Sequence, residues 1–174
     1  MGASAFPIVL ETILFTAVTA ILLFAAASDL IRFIIPNYIS IALVVLFFLA
    51  WSISPVGTQL WSHVGAGLLV LFVGMMLFRH GLFGGGDVKL WSAAALWFGL
   101  GSLHIQLACV SVIGGALGIT LYVVRLCAAR YRGGRGSTFP RVLQIGEGVP
   151  YGIAIASGTI IGLNKTPFFQ HLFA

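Results

Sequence analysis

The sequence predicts an all-α fold, a polytopic transmembrane helical bundle, and three observations lead there. Of its 174 residues 60% are hydrophobic and only 7% charged, whereas a soluble domain carries about a quarter charged residues. So few charges cannot coat a water-facing surface. The apolar runs approach the ~20 residues with which a helix rising ~1.5 Å per residue crosses a hydrocarbon core. Eight of the nine basic residues, finally, fall in or beside alternate connections between those runs, as charges retained on the cytoplasmic side do; the ninth, Lys165, lies near the C-terminus.

Six runs are predicted as spans: Phe6 to Ala27, Tyr38 to Ile53, Leu60 to Phe78, Val88 to Leu100, Ile105 to Cys127 and Pro150 to Leu163. The first has no basic segment of the kind a secretory signal carries, since Glu11 is its only charge before Asp29, and it reads as a retained span. The fourth and sixth are short, with Gly-rich or Pro-containing flanks that allow tilt or a break. Arg32 lies in the first connection, Arg79 and Lys89 in or beside the third, and Arg125, Arg130, Arg132, Arg135 and Arg141 in or beside the fifth. The connections from Ser52 to Gln59 and from Gly99 to His104 carry no basic residue. This division predicts both termini on the non-cytoplasmic side and Asp29 and Asp87 at the cytoplasmic face.

The whole chain, 1–174, reads as one domain, with residues 130–148 as a basic, Gly-rich cytoplasmic loop. Its arginines, like the net charge of +5, are assigned to membrane orientation and anionic headgroups and not to nucleic acid. Cys109 and Cys127 form no CxxC pair and are expected to be packing residues.

Chemistry is left to four acids, Glu11, Asp29, Asp87 and Glu147, because an ionisable group at the edge of hydrocarbon is expensive and calls for a partner or a purpose. Asp29 ends the first span, ahead of Arg32 and the helix stop Ile35-Pro36-Asn37. Asp87 follows Gly84-Gly85-Gly86 and precedes Val88-Lys89, where glycine permits close backbone approach and a helix N-terminus favours a carboxylate. One acid closes a descending helix and the other opens an ascending one, at equal depth. Two carboxylates held close share a proton; the ionised one then activates water while the protonated one hydrogen-bonds a scissile carbonyl. Structural alternatives stand beside this. Asp29 can pair with Arg32 at i+3, Asp87 can cap the fourth helix, and Glu11 and Glu147 read as interfacial residues. His63, His80, His104 and His171 show no nucleophile spacing, and no HExxH or paired Cys/His cluster offers a metal site.

Gly84-Gly85-Gly86-Asp87-Val88-Lys89 resembles the G-x-G-D-x-K motif of the GxGD intramembrane aspartyl proteases, and among these the chain resembles the type IV prepilin peptidases. Asp29 with Arg32 and Ile35-Pro36-Asn37 looks like that family's first aspartate and its IPN turn, and Pro150-Tyr151-Gly152 is similar to the opening of its last span. The resemblance implies an aspartic endopeptidase of the inner membrane that removes the leader of prepilins at the cytoplasmic face. Asp29 and Asp87 would be catalytic, Gly84, Gly86, Lys89, Arg32, Pro36, Asn37, Pro150, Tyr151 and Gly152 supporting, with water as nucleophile and no cofactor or metal. Without the paired-cysteine domain of the larger bifunctional members, the chain is similar to the short branch serving Flp pili, with a Flp-like prepilin helix as partner, membrane lipid around it, and no methyl transfer. An archaeal-type preflagellin peptidase is the nearest alternative. A small cation or proton transporter is the alternative from another class, disfavoured because both acids lie at one face and no internal repeat is seen.

Overall fold

The computed structural model describes residues 5–53, 59–131, 141–143, 148–166 and 168–169. They form six α-helices: α1 Ala5–Arg32, α2 Asn37–Ile53, α3 Leu60–Arg79, α4 Gly85–Ala95, α5 Gly99–Tyr131 and α6 Tyr151–Leu163, with a 3-10 turn at Arg141–Leu143. No strand occurs among the described residues. Three stretches, Ile8–Arg32, Leu60–Arg79 and Gly99–Arg130, are long and apolar enough to cross a membrane; α2 and α6 are apolar but shorter. Outward-facing Leu23, Ile41, Phe72, Met75, Val112 and Ile119 are all exposed. A surface of that kind belongs against lipid tails.

On α1 the buried positions are Glu11, Leu14, Val18, Leu22, Ala25 and Asp29, a single stripe at helical spacing. Asp29 is therefore the last member of the stripe that packs into the bundle. The helix ends where Phe33, at φ 53°, turns the chain, and Ser28 Oγ donates to Ile34 O at 2.8 Å to hold that turn. Pro36 then starts α2, its carbonyl accepting from Ile39 N at 3.1 Å. The inward stripe of α2 is Ile39, Leu43, Phe47 and Ala50.

Small residues let the helices approach. On α3 a Cβ at Gly67 would stand 2.7 Å from Leu96 Cδ2, and one at Gly74 would stand 2.7 Å from Val88 Cγ1. On α6 a Cβ at Gly158 would meet Val110 N of α5 at 2.7 Å. Backbones in such contact gain dispersion contacts, the packing available where water no longer drives association.

The fourth helix departs from the span expected over Val88 to Leu100. It stops at Ala95, and residues 96–98 make a turn before α5 begins at Gly99, whose φ is +66°. The stretch Gly99 to His104, expected as a connection, is thus the first turn and a half of α5. Trp97 and Phe98 are buried in that turn, and His63 Nδ1 lies 2.6 Å from Leu96 O. His63 is consequently a buried packing residue. It joins Phe47, Trp97 and Phe168 in an aromatic cluster, with ring centroids 5.3 to 5.8 Å apart. At 11 residues α4 is only about 16 Å long.

Two lesser expectations also change. Glu11 is buried at 8% exposure instead of lying at an interface, because it falls on the inward stripe of α1. Cys127 is exposed and is not a packing residue. Most of the 130–148 loop, with Glu147, lies outside the described residues.

Candidate active site

The end of α1, the start of α4 and the start of α6 meet at one end of the bundle. A pocket of about 200 Å³ opens there, lined by Asp29 and residues 33–35 on one side and by residues 84–87 on the other. Both predicted aspartates face it, although 57 residues of chain lie between positions 29 and 87.

Asp29 is 6% exposed. Its Oδ2 accepts a hydrogen bond from Gly152 N at 2.7 Å, so the first turn of α6 holds it, and Arg32, which is exposed, does not. The i+3 ion-pair alternative is replaced by a backbone N–H at a helix start, where such donors have no partner within their own helix. Only glycine fits at 152. A Cβ there would stand 2.8 Å from Asp29 Oδ2 and 2.9 Å from its Cβ.

Asp87 occupies the third position of α4, with Gly84 as N-cap. Its Oδ2 accepts from Gly84 N at 3.2 Å, the reciprocal half of a capping box; glycine has no side chain to return the other half. The expected capping role is thus met from inside the helix. Oδ1 is buried and has no hydrogen-bond partner. Burial pushes the Asp87 carboxyl up and the Asp29 charge adds to it, while the Gly84 N–H pulls the other way, leaving the group at about 7. A carboxyl so placed is divided between its protonated and ionised forms near neutral pH.

Glycines form the wall. A Cβ at Gly84 would stand 2.7 Å from Asp87 Oδ2, and one at Gly86 would stand 3.2 Å from Ile35 Cβ. Of the other predicted supporting residues, Pro150 is the N-cap of α6 and Tyr151 packs its ring on Phe83 at 4.8 Å. Lys89 Nζ donates to Asn37 Oδ1 at 2.9 Å, tying α4 to α2 outside the pocket. Arg125 is a residue that sequence reasoning left as a loop charge. It donates from Nε to Val142 O at 3.0 Å and from its guanidinium to Gly148 O at 2.8 Å, thereby bracing the approach to α6. No group of three His, Cys, Asp or Glu side chains able to hold a metal occurs among the described residues.

The family model of the type IV leader peptidases matches residues 16–119, which is more than half of the chain and includes both aspartates. The chain belongs to the type IV leader peptidase family. Membership implies a protease, and together with the three long apolar helices it marks a membrane protein. No curated protein and no solved structure matched in the comparisons. Gly152 and Arg125 lie beyond the matched residues, so in this leader peptidase the groups that hold Asp29 from α6 come from the part of the chain the family model does not span.

Proposed function

We propose that this leader peptidase is an aspartic endopeptidase that cleaves the leader of Flp-like prepilins, with Asp29 and Asp87 sharing one proton across the pocket. The observation that carries the reading is the convergence of the two acids on one glycine-walled pocket. Their surroundings differ. Asp29 accepts the Gly152 N–H, and Asp87 is held up at about 7, which suits the second to acid and leaves the first as base. Ionised Asp29 takes a proton from water, protonated Asp87 hydrogen-bonds the scissile carbonyl, and the hydrated intermediate collapses as the proton passes to the leaving amine. No covalent acyl-enzyme is involved. The glycines leave room for an extended peptide backbone against the acids.

In this reading the long helices α1, α3 and α5 cross the inner membrane, the shorter α2, α4 and α6 run back between them, and the pocket lies at the cytoplasmic face with both termini opposite. The ends of the helices support that orientation, since Arg32, Arg79 and Arg130 all close helices that end where α4 and α6 begin. The test is cleavage of a Flp-type prepilin in membranes by wild type, Asp29→Asn and Asp87→Asn at matched expression. Each substitution keeps size and hydrogen bonding but removes the shared proton, and each is expected to lower cleavage by at least about a hundredfold. Normal cleavage by either variant would make that acid structural and end the dyad reading.

A further inference from the structure

A second cleft, of about 470 Å³, lies on another side of α4 from the acid pocket, with no lining residue in common. Lys89 is two positions from Asp87, and residues at i and i+2 do not share a helix face. The cleft follows one stripe of α2, Asn37, Ser40, Ile41, Val44 and Val45, against Lys89 and neighbouring residues of α4. Its lining is graded. Asn37 and Lys89 stand at the charged end of the bundle, and valines and isoleucine lie farther along α2.

Two features point to a ligand. Ser40 is 8% exposed and its hydroxyl is buried with no hydrogen-bond partner, although Ser52 and Ser157 satisfy theirs on the carbonyl four residues back. Lys89 spends one donor on Asn37 Oδ1 and has two more, and the only acid on α2 or α4 is Asp87, on another side of α4. The outer wall is apolar, Ile41 being 60% and Val45 52% exposed, so on a membrane reading the cleft opens sideways into lipid.

We propose that this cleft binds an anionic phospholipid, its phosphate on Lys89 and Asn37, its glycerol ester region at Ser40, and an acyl chain along Ile41, Val44 and Val45. Charge complementarity selects an anionic head, and the polar-to-apolar gradient along a single helix stripe matches a head followed by a chain. The bound lipid fastens α2 to α4 and so steadies the helix that carries Asp87.

The experiment is native mass spectrometry of the full chain in detergent, titrated with phosphatidylglycerol or phosphatidylcholine. Wild type is expected to retain phosphatidylglycerol in preference to phosphatidylcholine. Lys89→Gln is expected to weaken phosphatidylglycerol retention about fivefold, the share of one surface cation, while Arg79→Gln, outside the cleft, leaves it unchanged. Val44→Trp, which fills the cleft, should abolish retention of both lipids; Ser40→Val, nearly isosteric, serves if the tryptophan variant misfolds and should weaken both. Equal retention of the two lipids, or equal losses from Lys89→Gln and Arg79→Gln, would overturn the proposal. So would displacement of the lipid by a prepilin helix peptide, which would make the cleft a peptide site.

Discussion

At the scale of single residues, the decisive feature is how differently two aspartates are held. Asp29 sits on the buried stripe of α1 and takes a backbone donor from α6, while Asp87 uses one oxygen inside its own helix and keeps the other buried and unpartnered. The sign of the pH dependence follows. Asp87 is raised above its ordinary value of 3.8 to about 7, so the protonated form needed as acid is present below about 7 and lost above it. The pH profile of prepilin cleavage is expected to show an alkaline limb near 7. Because the folded state binds this proton more tightly than the unfolded chain, rising pH between 3.8 and about 7 erodes stability. Asp87→Asn should therefore gain in Tm over wild type at pH 8 and show little gain at pH 4, read by thermal unfolding in detergent. Gly152→Ala drives a Cβ into Asp29; about 1–3 kcal/mol of destabilisation is expected, as for other overpacking changes, together with loss of cleavage. Both aspartates are legible in sequence because acids are so few. That Gly152 holds one of them is not, since the contact spans 123 positions and no local pattern encodes it. The place of Asp29 on the stripe of Leu14, Val18, Leu22 and Ala25 was readable from helical spacing and could have replaced the ion pair with Arg32.

At the scale of elements, spans and breaks follow from apolar length and from Pro and Gly, and five of the six helices begin close to where these signals put them. The exception is the junction of α4 and α5, where an unbroken apolar run conceals a buried turn. Hydropathy cannot register that turn, because Leu96, Trp97 and Phe98 are as apolar as the helices they separate. Glycines that look alike in sequence also differ here. Gly158 touches the backbone of α5, whereas a Cβ at Gly115 would meet nothing within 4 Å. Gly158→Ala is expected to destabilise by about 1–3 kcal/mol, and Gly115→Ala to stabilise by about 0.5–1 kcal/mol, both by thermal unfolding. The brace from Arg125 to Val142 O and Gly148 O is an element-scale device too. Arg125→Gln removes charge-assisted bonds to two carbonyls, and hydrogen exchange at the first turn of α6 should quicken, the donor to Asp29 among those amides. An unchanged exchange rate there would show that α6 is positioned by packing alone.

At the scale of the whole molecule, the bundle brings the ends of three helices to one pocket and leaves its flanks apolar. The helix ends carry charge, the outer faces carry Leu, Ile, Phe and Val, and stability on this plan comes from close backbone packing. Composition by itself determined that this chain belongs in a membrane as a bundle of helices, because 7% charged residues cannot serve a surface in water. The scarcity of acids likewise singled out Asp29 and Asp87, and the motif around them pointed to the family that the match over residues 16–119 shows. Tertiary structure alone decided where the fourth helix ends, and it alone joined Gly152 to Asp29 and Lys89 to Asn37. These are contacts between residues 52 to 123 positions apart, and such distances are closed only by the packing of whole helices.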